Sequence, residues 1–211
     1  MQQSELPLIL YTHPMSRGRV VRWMLEEIGC VYETKLLEYG TSMKAPEFLA
    51  INPMGKVPVL KHGEAVVTET IAICTYLAQA FPAALLTPDQ DDHHAWADYY
   101  RWLFFAAGPL EAAITDKSLG IQIPEERQRS VGYGNFEQVI SVIESTLKHK
   151  KVIAGNRFSS ADLVLSSYLS FYSQFGIIPA NSIISDYFTL HKNRPAAIRA
   201  EQIDVALLGK P

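Results

Sequence analysis

The run Asn52-Pro53-Met54-Gly55-Lys56-Val57-Pro58-Val59-Leu60, followed by Thr68-Glu69-Thr70, decides how this chain is read. A proline inside an apolar, strand-like stretch removes a ladder donor and normally argues against a strand. Pro58 stands between two valines and beside a reverse turn, so it is read as shaping a site. A cis peptide there would turn the backbone outward and leave the N–H and C=O of Val57 open. A short peptide can then pair with Val57 as an added strand. Glu69-Thr70 arrives soon afterwards at a helix N-terminus, where a carboxylate or an amine can be held. A backbone clamp next to a charged clamp points to a small anionic peptide as ligand.

The surrounding chain gives this stretch its setting. Leu6 to Tyr11 reads as a buried strand, and Thr12-His13-Pro14-Met15 ends it. After Ser16, a helical pattern puts Val20, Val21, Met24, Leu25 and Ile28 on one face and leaves Arg19, Arg22, Glu26 and Glu27 outside it. Gly29 closes that helix as a C-cap. Val31 to Leu37 is a second strand, parallel to the first because a helix separates them. Ala45 to Ile51 is a short helical turn. Val57–Leu60 and Glu64–Val67 flank Lys61-His62-Gly63 as a hairpin. A helix from Glu69 to Ala80 follows, burying Ile71, Cys74, Leu77 and Ala78. The order βαβ, short helix, ββα makes one α/β unit with a mixed sheet.

Beyond Phe81-Pro82 the composition shifts to Pro, Ala and Asp, which marks a linker, and the remainder reads as all-α. The expected division is residues 1–81, a linker over 82–91, and a helical domain over 92–211. His93 to Leu119 is one long helix kinked at Gly108-Pro109, and Pro124 to His149 is a second that opens on Pro-Glu-Glu. A third spans Asp162 to Phe175, with shorter helices over Ser182–Leu190 and Pro195–Gln202.

The 211 residues, 48% hydrophobic and 19% charged, suit a globular chain of one domain or two small ones. A formal net charge of −3 argues against nucleic acid or an anionic membrane as partner. No apolar run approaches a bilayer span, and Met1-Gln2-Gln3-Ser4-Glu5 lacks the basic region of a secretory signal, so a cytoplasmic protein is expected. Cys30 and Cys74 stand far apart without a CxxC pattern. They read as packing residues, with no metal site and no disulfide framework.

In the order and spacing of four elements the chain resembles the cytosolic glutathione transferase superfamily. These are Leu10-Tyr11 with Ser16, the Asn-Pro-x-Gly-Lys-Val-Pro run at 52–58, Glu69-Thr70, and Phe158-Ser159-Ser160-Ala161-Asp162. The resemblance covers essentially the whole chain. It implies a thioredoxin-like N-terminal domain followed by an all-helical domain, glutathione as substrate or recycled cosubstrate, and a homodimer. It also implies roles for individual residues. Ser16 matches a position that carries catalytic serine in several classes, a role compatible with capping the first helix. Tyr11 lies where other classes carry a catalytic tyrosine, with packing the favoured role here. Arg17 is a candidate to face the thiolate or the substrate, against a solvated helix arginine.

By the same resemblance Val57 pairs with the cysteinyl backbone, Pro58 sets that geometry, and Glu69 and Thr70 hold the γ-glutamyl end. Lys56 is a candidate for a glutathione carboxylate, His13 for lining the site, and Asn52 for stabilising the turn. An electrophile pocket is expected between the domains against the long helix, with Tyr100 and Phe104 the aromatic candidates to face it. Serine instead of cysteine at position 16 argues against a mixed-disulfide mechanism through that residue.

Three functions are compatible with these residues. The first is transfer of glutathione to an apolar electrophile by the bound thiolate. The second is an isomerase or peroxidase that uses the same thiolate. The third is a glutathione-transferase-like scaffold without chemistry. Ser159 with Asp162 also reads as a capping box stapled by Phe158 and Leu163, whose loss would cost about 1–2 kcal/mol.

Overall fold

In the computed structural model, residues 6–179 and 182–208 are described, so the Met1–Glu5 stretch lies outside them. Four strands, β1 (Leu8–Thr12), β2 (Glu33–Leu36), β3 (Val59–His62) and β4 (Ala65–Thr68), form one mixed sheet in the order β2-β1-β3-β4. β1 and β2 are parallel, with Leu10 opposite Thr34. The β1/β3 and β3/β4 pairs are antiparallel, with Tyr11 opposite Val59 and Val59 opposite Thr68. The helices of this half are α1 (Gly18–Ile28), the single turn α2 (Pro46–Leu49) and α3 (Thr70–Ala80). The thioredoxin-like order βαβ-α-ββα is therefore present, followed by helices only.

Alternation along β1 sends Leu8, Leu10 and Thr12 to a fully buried face, while Ile9 and Tyr11 are half-buried on the other. Val20, Val21, Met24 and Leu25 of α1 are buried, as are Ile73, Cys74 and Leu77 of α3. Ile73 takes the buried place expected of Ile71, which is only half-buried. On the other face, Met43, Phe48 and Val59 make a small cluster that Tyr11, Leu37, Ile51 and Val57 complete. Gly18 starts α1 where a Cβ would stand 1.8 Å from Thr12 Oγ1, so only glycine lets this helix come down onto the end of β1.

The second half comprises α4 (His93–Phe105), a π turn at Ala106–Leu110, and α5 (Glu111–Ser118). It continues with α6 (Phe136–Leu147), α7 (Ser160–Gln174) and α8 (Ser182–Lys192), and α9 (Pro195–Leu208) follows. The π turn holds Gly108-Pro109, where a kink was expected, since Pro109 cannot donate to the helical ladder. The helix expected over Pro124–His149 is broken. Glu125–Ser130 is 3₁₀, and α6 begins only at Phe136. The 3₁₀ run stops at Ser130, the chain turns through Gly134 at φ 72°, and Asn135 starts a new helix by accepting the Gln138 N–H at 2.8 Å. The favourable Pro-Glu-Glu first turn is real but short.

The chain divides into two compact units: one within Met1–Leu86 and Arg194–Pro211, the other Thr87–Asn193. The division differs from 1–81 and 92–211 chiefly in α9, which belongs with the α/β unit. The reason is Arg22, read from sequence as a solvent-facing helix residue. It is fully buried, and its guanidinium meets the equally buried Asp204 of α9 at 2.7 Å.

Within the helical unit, Asp162 carries the capping box and is itself completely buried. Its Oδ2 accepts from Ser159 N–H and Oγ, at 2.9 and 3.0 Å, and its Oδ1 from Ile153 N–H and Tyr187 OH, at 2.7 and 2.8 Å. Asp162 therefore holds three chain segments, where the sequence suggested a helix cap alone.

Candidate functional site

Strand directions bring the candidate residues to one place. β1 ends, β3 begins and β4 ends on the same side of the sheet, because β3 is antiparallel to both neighbours. The loop after β1 carries His13, Ser16 and Arg17. The segment entering β3 carries Lys56, Val57 and Pro58, and the residues leaving β4 are Glu69 and Thr70. These three strands are adjacent, so the outer two segments stand about 10 Å apart with Val57 between them, two strand spacings of roughly 4.8 Å. Three extended residues span about the same length.

The Val57–Pro58 peptide is cis. Pro58 is buried, and Val57 is half-buried against Met43 and Phe48. Among the described residues neither the N–H nor the C=O of Val57 finds a backbone partner, which keeps both open to an added strand. Asn52 holds the approach as expected of a turn residue: its Nδ2 donates to Lys56 C=O (2.9 Å) and its Oδ1 accepts from Met54 N–H (3.2 Å). Lys56 is exposed. Lys44, which sequence reasoning missed, braces the same turn by donating from Nζ to the carbonyls of Met54 and Gly55, each at 3.0 Å. Nothing local marks Lys44. Only folding the chain at Ser42–Lys44 brings it there.

Glu69 occupies the position before α3 at φ 67° and ψ 123°, a conformation that strains any residue other than glycine. Its exposed side chain caps no amide of α3, so the carboxylate is presented outward. Thr70, half-buried, is the first residue of that helix, whose opening amides have no acceptor within the helix itself.

Ser16 lies two residues before the first residue of α1. The N-cap of α1 is Arg17, and the Ser16 hydroxyl, one residue earlier, accepts from Gly18 N–H at 3.0 Å. It also donates to His13 C=O at 2.7 Å, and Ser16 N–H donates to the same oxygen at 2.9 Å. The imidazole of His13 turns away into its own loop. Nδ1 accepts Met15 N–H (3.1 Å), Nε2 lies 3.5 Å from Glu38 Oε2, and the ring packs 4.5 Å from that of Tyr39. Tyr39 OH donates to Met15 C=O at 3.3 Å. Arg17 lies close enough to Tyr39 to favour its phenolate, though burial leaves that phenol above its ordinary value. Tyr11 packs against Phe48, ring centres 5.8 Å apart, which is the packing role.

Tyr100 and Phe104 are both exposed on α4 of the helical unit, Tyr100 beside Trp96 and Tyr99. Burial pushes the Cys74 thiol up to about 12 and raises that of Cys30, so neither supplies a thiolate. Among the described residues no group of His, Cys, Asp or Glu is arranged to hold a metal ion. No described helix is long and apolar enough to cross a membrane.

Residues 6–79, which contain every one of these loops, match the family model "Glutathione S-transferase, N-terminal domain". Glutathione S-transferase 3 of Zea mays is 30% identical over 164 residues, covering 74% of each chain. The chain belongs to the glutathione S-transferase family. Elongation factor 1-gamma 3 of Oryza sativa is 27% identical over 73% of this chain but only 37% of its own length. A sphingomonad glutathione S-transferase solved with glutathione superposes with a TM-score of 0.75 at 25% identity, covering 93% of this chain and 98% of that one. The family therefore accounts for the fold.

Proposed function

We propose that the chain binds reduced glutathione across the sheet end and uses its thiolate against a small, largely apolar electrophile. The observation that carries this reading is the convergence of the Ser16 turn, Val57–Pro58 and Glu69–Thr70 within the length of a tripeptide. In it, the cysteinyl backbone pairs with the N–H and C=O of Val57. The γ-glutamyl ammonium meets the Glu69 carboxylate, and its carboxylate meets the Thr70 hydroxyl and the first amides of α3. Lys56 takes the glycyl carboxylate. The sulfur then falls beside Ser16 at the positive end of α1.

Only the thiolate is nucleophilic, and a free thiol titrates near 8.5. Lowering that value by two units takes about 2.7 kcal/mol. The Ser16 hydroxyl must first release His13 C=O, exchanging a neutral hydrogen bond of about 1 kcal/mol for a charge-assisted one of about 1.5–3 kcal/mol. The exchange nets roughly 0.5–2 kcal/mol, and the helix end supplies about 0.3–1 kcal/mol more. Ser16 is then worth about tenfold in thiolate population at neutral pH. Tyr100 and Phe104 are the aromatic candidates for contact with the electrophile. A homodimer and a cytoplasmic setting complete the reading.

Calorimetric titration with reduced glutathione, with Glu69→Ala beside it, tests the binding half. Binding that disappears in Glu69→Ala is the expected result, and no binding by the folded wild type refutes the reading. A screen of electrophiles, peroxides and isomerisable substrates with Ser16→Ala as control then tests the chemistry. A second reading, a glutathione-binding scaffold without turnover, draws on the similarity to elongation factor 1-gamma 3. Tight glutathione binding with no turnover in that screen would favour it.

A further inference from the structure

His13 was singled out as a residue that lines the site, yet its imidazole is spent on the backbone of its own turn. Its Nδ1 accepts the N–H of Met15, two residues on, at 3.1 Å. This is the geometry an aspartate or asparagine oxygen adopts in an Asx turn, with imidazole nitrogen in place of oxygen. A nitrogen that accepts leaves the ring proton on Nε2, which faces the Glu38 carboxylate at 3.5 Å. The other side of the ring packs on Tyr39, and Tyr39 OH closes the loop onto Met15 C=O.

The same turn ends on Ser16. Both the N–H and the hydroxyl of Ser16 donate to His13 C=O, at 2.9 and 2.7 Å, and His13 N–H approaches Ser16 Oγ at 3.4 Å. Four contacts thus tie residues 13, 15 and 16 into one closed loop. Three of these contacts join His13 directly to Ser16, and the fourth, from Met15 N–H to His13 Nδ1, closes the turn between them. When a thiolate draws the hydroxyl away from His13 C=O, the side-chain bond from Nδ1 to Met15 remains to keep the loop shut.

We propose that His13 is a positioning residue for Ser16, acting as the neutral Nε2–H tautomer whose Nδ1 closes the 13–16 turn. The proposal rests on the reading of Ser16 as the group that meets the glutathione thiol. Asparagine can reproduce this role, because its Oδ1 lies the same number of bonds from Cα as imidazole Nδ1. Glutamine cannot, because its oxygen lies one carbon further out.

The test compares wild type, His13→Asn, His13→Gln and Ser16→Ala, each loaded with reduced glutathione. The thiol is titrated by its thiolate ultraviolet absorbance, and Met15 amide exchange is followed by NMR. His13→Gln should raise the bound thiol pKa by about one unit, a tenfold loss of thiolate. It should speed Met15 exchange at least tenfold, while glutathione affinity stays within about twofold. His13→Asn should restore both readouts to near wild type. Equal behaviour of the Asn and Gln variants, or a wild-type long-range ¹H–¹⁵N spectrum with the proton on Nδ1, would overturn the assignment. Ser16→Ala separates the two ideas. An unmoved thiol pKa there refutes thiol activation by Ser16, while Met15 exchange and the His13 tautomer still decide the role of His13.

Discussion

Arg22 and Asp204, 182 residues apart in the chain, form a fully buried ion pair with Nε 2.7 Å from Oδ1. Nη1 of Arg22 donates to Tyr32 OH and Thr34 Oγ1, so the pair joins α1, α9 and the region of β2. Around it, Glu27 takes both Arg194 Nε and Nη2, at 2.7 and 2.8 Å, and Glu26 meets Arg199 at 3.2 Å. α9 is therefore fastened along α1, the helix whose start presents Ser16.

Removing one partner of that pair strands a buried charge. Asp204→Ala should destabilise the α/β unit by about 3–5 kcal/mol, whereas Arg22→Met with Asp204→Leu should recover most of the loss. Urea denaturation of the three proteins checks this. Asp204→Ala within 1 kcal/mol of wild type, as for a surface pair, would contradict it.

Asp162 should prove more costly to lose than a helix cap. Asp162→Ala leaves the Ile153 N–H and Tyr187 OH without acceptors as well as the Ser159 donors, so about 3–5 kcal/mol is expected in place of 1–2. Ser159→Ala removes one donor to Asp162 and the cap acceptor of the Asp162 N–H, and should cost about 1–2 kcal/mol. The difference between the two denaturation midpoints measures how far Asp162 serves segments beyond its own helix.

Glu69→Gly should move stability and binding in opposite directions. Glycine relieves a strain of about 1–3 kcal/mol at φ 67° but loses about 0.5–1 kcal/mol to unfolded-chain entropy. The variant should melt no lower than wild type and up to about 2 kcal/mol more stable, with glutathione affinity reduced at least tenfold for want of the carboxylate. A lower melting temperature would show that Glu69 is at ease in this conformation.

Cys74 should make the protein sensitive to alkali. Its buried thiol is pushed up to about 12, while in the unfolded chain it titrates near 8.5. The fold thus favours the neutral thiol. That contribution is complete below about pH 8.5 and is lost as pH rises towards about 12, with a slope of at most about 1.4 kcal/mol per pH unit. Cys74→Ala has a lower baseline but lacks this slope. Urea midpoints at pH 8 and pH 10 should fall further for wild type than for the variant, and parallel falls would refute the assignment.

The pattern of apolar residues, the turn residues and the prolines by themselves specified the strand order, an α/β stretch followed by helices, the kink at Gly108-Pro109 and the capping box at Ser159–Asp162. These are local matters, decided by periodicity and backbone chemistry within a few residues. The cluster formed by the Ser16, Val57–Pro58 and Glu69–Thr70 segments was also legible, because a short hairpin leaves few ways to order the strands. The break at Gly134-Asn135 was missed because a strong first turn masked it. The rest belongs to tertiary structure. Arg22 reads as a surface residue until α9 brings Asp204 to it, and Lys44 has no role until the 42–55 loop closes. His13 looks like a site-lining histidine until its Nδ1 is seen on Met15. Each depends on where a side chain finds its partner, and partners distant in sequence or folded back on their own turn leave no periodic trace.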